Sequence, residues 1–132
     1  MTAAAARWRW ISRTGLLRLH DMSLVQFGGA AGIRDEGLLE SALGRAENLA
    51  HYGTPDVADL AAAYGYGLAK NHAFIDGNKR AAFLAVGLFL RLNGCALTAN
   101  QPDATHTVMA LASGGISEAE FGAWLRGNMR FL

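Results

Sequence analysis

The sequence predicts an all-α domain of about six helices around a buried central helix. Apolar residues recur at three- and four-residue spacing along most of the 132-residue chain, and no long alternating run with paired turn signals indicates a sheet. The length fits a single domain, residues 1–132. Residues 1–10 form a loosely ordered extension unless Trp8 and Trp10 pack against the helical body.

Cap and stop signals divide the chain into helical segments. We expect helices at about residues 14–27, 35–43, 55–71, 81–92, 102–112 and 118–129. The first helix carries an apolar face on which His20 is expected to be a core residue, and Gly28-Gly29 ends it. Residues 28–34 then form a glycine-rich loop, and Asp35 is a suitable N-cap for the second helix.

A loop at residues 51–56 leads to the third helix. A Thr54-Pro55 cap is expected to begin this helix, because proline lacks an N–H that would go unpaired in the first turn. Inside the helix, Gly65 and Gly67 each cost about 1 kcal/mol relative to alanine. Their presence predicts close contact with a neighbouring helix.

The fourth helix has the most apolar sequence. A helix that is apolar on nearly every side must be buried all round, so residues 81–92 are expected to form the central helix of the fold. Two shorter helices follow, and the last of them begins at a capping box made by Ser117 and Glu120.

Composition limits the class of protein. The chain is 52% hydrophobic and 17% charged, which predicts an ordered core and some apolar surface for a partner. The net charge of +1 lacks the basic excess typical of proteins that bind nucleic acid directly. The longest apolar run, residues 81–90, is too short to cross a membrane, and the start resembles no export signal. Cys95, the single cysteine, is expected to be buried and reduced in a cytoplasmic protein.

One segment, residues 71–80, concentrates the residues that carry chemistry. Gly77 allows a tight turn, and the free N–H groups at the start of the next helix attract an anion, with the positive end of the helix dipole. Lys79 and Arg80 add full charges at the same end. Cations at a helix N-terminus cost about 0.3–1 kcal/mol each, so a bound phosphate would explain them. Alternatively, both side chains simply extend into solvent.

Four more residues of this segment have assignable roles. His72 is a base able to accept a proton near neutral pH, or else a structural histidine. Asp76 offers the hard oxygen that Mg²⁺ takes when nucleotide phosphates mainly hold it, or else it is a turn or cap residue. Phe74 is expected to anchor the loop on the core. Asn78 is expected to cap the next helix or to bond across the loop.

The segment resembles the signature of the Fic/Doc family, His-x-Phe-x-Asp/Glu-Gly/Ala-Asn-Gly/Lys-Arg. The matching positions are His72, Phe74, Asp76, Gly77, Asn78, Lys79 and Arg80. The glycine-rich loop and the end of the fourth helix extend the resemblance to the Doc branch, whose members are toxins of type II toxin-antitoxin systems. The likeness covers the chain from about Ile11 onward.

The resemblance implies a compact helical Fic/Doc fold and transfer of part of a nucleotide to a protein hydroxyl. His72 would take the proton from that hydroxyl, and Asp76 would hold Mg²⁺. The nucleotide-binding residues would be Phe74, Gly77, Asn78, Lys79 and Arg80. Lys79 and Arg80 would also act in catalysis by neutralising the phosphates. The implied cofactors are therefore Mg²⁺ and ATP, which would serve as the phosphate donor.

Lys79 distinguishes two reactions within the family. Members that transfer AMP have glycine at this position, whereas a lysine resembles the Doc branch, in which the terminal phosphate is delivered. We therefore expect a kinase-like reaction on a Ser or Thr hydroxyl of a translation factor similar to elongation factor Tu, which would inhibit translation. Gly77, where the Doc branch has alanine, keeps transfer of AMP open.

The resemblance also implies a protein partner. Fic proteins are often restrained by a helix that carries Ser/Thr-x-x-x-Glu, and no Ser or Thr of this chain is followed four residues later by Glu. A separate antitoxin is therefore expected to restrain the activity.

Two other classes of protein stay open. One is a non-catalytic partner-binding or regulatory protein. The other is a metal-dependent phosphohydrolase, for which His20, His51 and His106 would have to meet by folding. Otherwise these three histidines are packing or surface residues.

Overall fold

Six α-helices and a two-stranded sheet make up residues 7–132, the part of the chain described by this computed structural model. In chain order these elements are α1 (Arg13–Phe27), α2 (Glu36–Tyr52), α3 (Val57–Asn71), α4 (Asn78–Leu92), β1 (Cys95–Leu97), α5 (Gln101–Ser113), α6 (Glu118–Gly127) and β2 (Met129–Phe131). The predicted all-α class and the number of helices are confirmed. None of the helices within these residues is long and apolar enough to cross a membrane.

Side-chain caps set the first residue of five helices. Their N-caps are Ser12, Asp35, Asp56, Asn100 and Ser117, each accepting a hydrogen bond from a backbone N–H of the first turn. The predicted capping box of Ser117 and Glu120 is confirmed. Five helices have boundaries within three residues of the predicted ones, and α4 already begins at Asn78, but α2 runs nine residues past its predicted end at residue 43.

The loop between α2 and α3 is shorter than predicted. His51 and Tyr52 still belong to α2, whose C-cap is Gly53, two residues before Pro55. A residue before proline avoids helical geometry, so Pro55 excludes Thr54 from the helix but not His51 or Tyr52. The predicted Thr54-Pro55 cap is wrong. The cap is Asp56, which forms a reciprocal capping box with Asp59.

The central helix is α3, not the helix at residues 81–92 as predicted. Eleven of the 15 residues of α3 are buried, against six of the 15 residues of α4. Helix α3 packs against α2, α4, α5 and α6. Alanines and glycines fill much of it, and small side chains let four neighbours approach closely. Helix α4 keeps part of its apolar face open because Phe83 and Leu84 line a cavity.

The two glycines of α3 mark its closest approaches, as the sequence predicted. A Cβ at Gly65 would lie 2.9 Å from both Phe121 of α6 and Val86 of α4. A Cβ at Gly67 would lie 3.1 Å from the Cα atom of Ala42 in α2. The contact therefore involves three neighbouring helices rather than one.

A short antiparallel sheet, which the sequence did not predict, closes the carboxyl-terminal part. Strand β1 pairs with β2 with Ala96 opposite Arg130, so Met129 lies in a strand and not at the end of the last helix. Strands of three residues are too short to show alternation. Cys95 is buried in β1 as a free thiol, as predicted, and burial raises its pKa.

Residues 7–10 pack against the helical body. The rings of Trp8 and Trp10 lie 6.4 Å and 5.9 Å from the ring of Phe89. The side chain of Asn93 accepts from the N–H of Arg9 at 3.0 Å and donates to its carbonyl at 3.0 Å. The packing alternative for the two tryptophans is thus confirmed. The first part of the predicted loose extension, residues 1–6, lies outside the described residues.

Candidate active site

The loop between α3 and α4 is held in an extended pairing with the glycine-rich loop. Ile33 and Phe74 form an isolated antiparallel bridge. The N–H of Arg34 donates to the carbonyl of Ala73 at 2.7 Å, and the N–H of Ile75 donates to that of Gly32 at 3.0 Å. Two segments about 40 residues apart in sequence therefore form one surface.

Phe74 and His20 support this loop from the core. The Phe74 side chain is buried and stacks on the His20 ring at a centroid distance of 3.8 Å. Nε2 of His20 donates to the carbonyl of Asp76 at 2.7 Å. Both residues pack as predicted. Because Phe74 is enclosed, its part in nucleotide binding would be to support the loop.

Asn78 ties the loop to itself. Its Oδ1 accepts from the N–H of Phe74 at 3.0 Å, and its Nδ2 donates to the carbonyl of Phe74 at 3.0 Å. Of the two roles predicted for Asn78, the bond across the loop is therefore the one observed, and the cap is not.

No side chain of the described residues caps the N-terminus of α4. Its N-cap is Gly77, which has a φ of 75° and makes no side-chain capping bond. A Cβ at Gly77 would be strained by this left-handed conformation and would lie 3.3 Å from Nη2 of Arg80. An uncapped helix start that presents N–H groups and the positive end of a dipole is an anion-binding geometry.

The two cations of the segment differ in their surroundings. Nη2 of Arg80 donates to the carbonyl of Gly28 at 2.9 Å, and its guanidinium lies 5.4 Å from the ring centroid of Phe27. Arg80 is therefore held beside the uncapped helix start instead of extending into solvent. Lys79 is exposed and free to follow a ligand.

Asp76 turns its carboxylate toward the glycine-rich loop. Oδ1 accepts from the N–H of Gly77 at 2.8 Å, and Oδ2 accepts from the N–H of Ala30 at 3.3 Å. A Cβ at Gly29 would lie 2.9 Å from Oδ2. Each oxygen keeps a lone pair, and the residue is exposed. Asp76 thus has a turn role and can still supply one oxygen to a cation.

The donor set fits a metal held mainly by phosphates. Within residues 7–132, no three His, Cys, Asp or Glu side chains gather closely enough to hold a metal ion by themselves. One carboxylate beside an anion site is the arrangement in which Mg²⁺ binds together with a nucleotide. A metal-dependent phosphohydrolase would need more ligands than this part of the chain brings together.

His72 ends α3 in a strained conformation. It is the C-cap of α3 and has a φ of 51°. Among the non-glycine residues that the structure describes, His72 is the only one with a positive φ. Nε of Arg34 donates to the carbonyl of His72 at 2.7 Å, and Nη2 donates to that of Asn71 at 3.1 Å. Sequence reasoning missed Arg34, since an arginine in a loop 38 residues away carries no spacing signal.

Two cavities meet at Lys79. One, of about 300 Å³, lies between α1, α4 and α5 and is lined mainly by apolar side chains, with Lys79 and Arg80. The other, of about 440 Å³, lies between the loop and α5 and is lined by His72, Lys79 and His106 among others. Of the three other histidines, His20 is in the core, His51 is exposed beside Tyr52, and only His106 shares a cavity with His72.

Known proteins resemble this chain across the site. A model described as the Fic/DOC family matches residues 10–90. The protein named "Protein kinase doc" of Escherichia phage P1 is 34% identical over 119 residues, which cover 89% of this chain and 94% of that protein. The protein named "Toxin Doc" of Mycolicibacterium smegmatis is 44% identical over 79 residues, which cover 58% of this chain and 60% of that protein.

Proposed function

The chain belongs to the Fic/DOC family, and from this we propose that it is a Doc-like toxin that transfers the terminal phosphate of ATP to a protein hydroxyl. The acceptor proposed is a Ser or Thr of a translation factor similar to elongation factor Tu, so the reaction would inhibit translation in the cytoplasm. The names of the two relatives, one a protein kinase and one a toxin, support this choice.

The observation that carries the proposal is the uncapped start of α4 next to His72. The helix begins after Gly77 without a side-chain capping bond, and Arg80 is held beside this helix start by its contacts with Gly28 and Phe27. Phosphoryl transfer needs mainly positioning and charge neutralisation, and these groups supply both.

The proposed step moves one phosphoryl group and one proton. The acceptor oxygen forms a bond to the terminal phosphorus while the bond from that phosphorus to the bridging oxygen of ADP breaks. His72 receives the proton of the hydroxyl. Lys79 and Arg80 would bind the phosphate oxygens, and Asp76 would hold Mg²⁺. When bound, Mg²⁺ supplies further neutralisation of the phosphate charge.

Lys79 supports transfer of the terminal phosphate over transfer of AMP. Its side chain is exposed and lines both cavities, one of which is also lined by Arg80. Family members that transfer AMP leave the space of this side chain open with a glycine. Transfer of AMP is the alternative that the following assay distinguishes.

A transfer assay with labelled ATP tests the proposal. Purified translation factors, Mg²⁺ and ATP labelled at either the terminal or the inner phosphate are incubated with the protein and with His72→Ala. We expect terminal label on a translation factor and its loss in the variant by at least about 100-fold, since the base contributes about 10²–10⁴-fold. Inner label on the acceptor would establish AMP transfer. No label from either position would favour a non-catalytic protein.

We further propose that a separate antitoxin covers the cavity between α1, α4 and α5. Phe27 and Met109, 60% and 52% exposed, form part of its apolar wall, and Arg80 and Lys79 also line it. An amphipathic helix with an acidic side chain would match this pattern and block the phosphate site. A pulldown from cells that carry the native operon should recover a small partner. Recovery of none would count against this proposal.

A further inference from the structure

The cavity of about 440 Å³ between the loop and α5 has no assigned role. The loop contributes His72 to its wall, the start of α4 contributes Lys79, and α5 contributes His106, Met109 and Ser113. His106 and Ser113 are exposed, one near the middle and one at the end of α5. The wall thus combines an imidazole and an ammonium group with apolar surface.

The position of His72 relates this cavity to the acceptor. A base must come within hydrogen-bonding reach of the hydroxyl that it deprotonates. His72 lines this cavity but not the cavity between α1, α4 and α5, whereas Arg80 lines only the latter. Lys79, which lines both, lies where a phosphate bound at α4 and a hydroxyl near His72 would meet.

The charges of the wall indicate the chemistry of what enters. Lys79 carries a positive charge, His106 offers an imidazole N–H donor, and no Asp or Glu is among the described residues that line this cavity. A segment with a carboxylate near its acceptor hydroxyl would be complementary to this wall, and Met109 and Ala110 would contact its apolar atoms.

We infer that this cavity receives the acceptor segment and that His106 recognises an acidic side chain next to the acceptor hydroxyl. The inference rests on the proposed transfer reaction. It assigns selection of the protein substrate to His106, which lies outside the motif at residues 72–80. In this role His106 is a specificity-determining residue, because it contacts the acceptor segment and leaves the phosphate and the proton transfer to other groups.

Steady-state kinetics with elongation factor Tu as acceptor test the inference. His106→Ala should raise the acceptor KM about fivefold while the ATP KM and kcat stay within about twofold. His106→Lys, which places a hydrogen-bond donor with positive charge at this position, should return the acceptor KM to within about twofold of the original, and His106→Glu should raise it further. Hydrolysis of ATP without acceptor should be the same in all four proteins, since it does not use the acceptor segment.

His51→Ala is the matched control, because His51 is also an exposed helical histidine and lies outside this cavity. A rise in the ATP KM of His106→Ala would mean that the nucleotide occupies the cavity and would overturn the inference. Kinetics of His106→Ala equal to those of His51→Ala would also overturn it. Absence of transfer by the unmodified protein would instead remove the proposed function, and this inference with it.

Discussion

At the scale of single residues, the conformation of His72 is imposed by its surroundings. A left-handed backbone costs a residue with a Cβ about 1 kcal/mol or more. The guanidinium of Arg34 offsets this cost with two charge-assisted hydrogen bonds, to the carbonyls of Asn71 and His72. Both carbonyls belong to the carboxyl end of α3, where a cation is favourable. We therefore predict that Arg34 influences the proposed transfer reaction through the position of His72.

Arg34→Ala should lower kcat for phosphate transfer about tenfold, because His72 would populate other conformations at the end of α3. The ATP KM should change by less than about twofold, since Arg34 does not line the cavities at Lys79. Arg34→Lys should recover part of the loss, as an ammonium group lacks the fork that reaches both carbonyls. Kinetics of each variant, with thermal unfolding as a check on folding, measure the effect.

Arg18→Ala provides the comparison for Arg34→Ala, since Arg18 is an exposed arginine on α1. A fall in kcat of the same size in both variants would contradict a positioning role for Arg34. So would a loss in Arg34→Ala that appears only in the ATP KM.

The residues that we assign to the candidate site could be grouped from the sequence where they are contiguous. His72, Asp76, Gly77 and Arg80 stand within nine positions, so their spacing alone indicated one site. Arg34 and His106 belong to other elements, and only folding brings them to His72. The role of Asn78 was open between two alternatives because a cap and a bond across a loop use the same side-chain atoms.

At the scale of elements, the start of α3 illustrates why a cap can be misplaced. Thr54, Pro55 and Asp56 all suit the beginning of a helix, and aspartate is only slightly preferred to threonine as an N-cap. Asp56 is the cap because the partner at its N3 position, Asp59, accepts a hydrogen bond from its N–H in return. Arg126 of α6 also pairs with both carboxylates. The cap of α3 thus joins two helices.

The pH dependence of stability should report on this cap. Burial raises the pKa of the Asp56 carboxyl. The hydrogen bonds and charge of Arg126, together with the N–H of Asp59, lower this pKa by more than burial raises it, so the net pKa is below the ordinary value. The ionised carboxylate therefore stabilises the fold above the ordinary pKa, near about pH 4. This contribution is lost as the pH falls through the lower pKa of the folded state.

Asp56→Asn tests this dependence, because asparagine keeps a capping oxygen and removes the charge. The variant should lose about 0.5 kcal/mol of unfolding free energy at pH 7, a small effect since the Asp56 side chain is 50% exposed. At about pH 2.5 the difference in stability should be smaller than at pH 7, because part of the carboxylate contribution is lost below the ordinary pKa. Urea denaturation at both pH values measures the difference. A gap that stays constant or widens in acid would show that the charge is not responsible.

At the scale of the whole molecule, the sequence predicted the class of fold but not which helix is central. Apolar content marked α4 as most buried, because large side chains such as Phe83 and Leu88 raise it. Burial instead follows the small residues of α3, which admit close neighbours on every side. The apolar side chains left uncovered on α4 line the cavity beside Lys79 and Arg80. The apolar side chains that made α4 look like the central helix are thus partly on the surface that we propose for the antitoxin.

Two glycine substitutions separate close packing from helix propensity. In an unhindered helix interior, Gly→Ala stabilises by about 1 kcal/mol. A Cβ at Gly87 of α4 would meet nothing within 4 Å, so Gly87→Ala should raise the free energy of unfolding by about 0.5–1 kcal/mol.

At Gly65 a Cβ would lie 2.9 Å from the ring of Phe121 and from Val86. Displacing these side chains costs about 1–3 kcal/mol, which exceeds the gain in propensity. Gly65→Ala should therefore destabilise the protein, and chemical denaturation of both variants would reveal opposite signs. Stabilisation by both would mean that α6 can move away from α3 without cost, and that the close approach at Gly65 is not what holds the helices around α3 together.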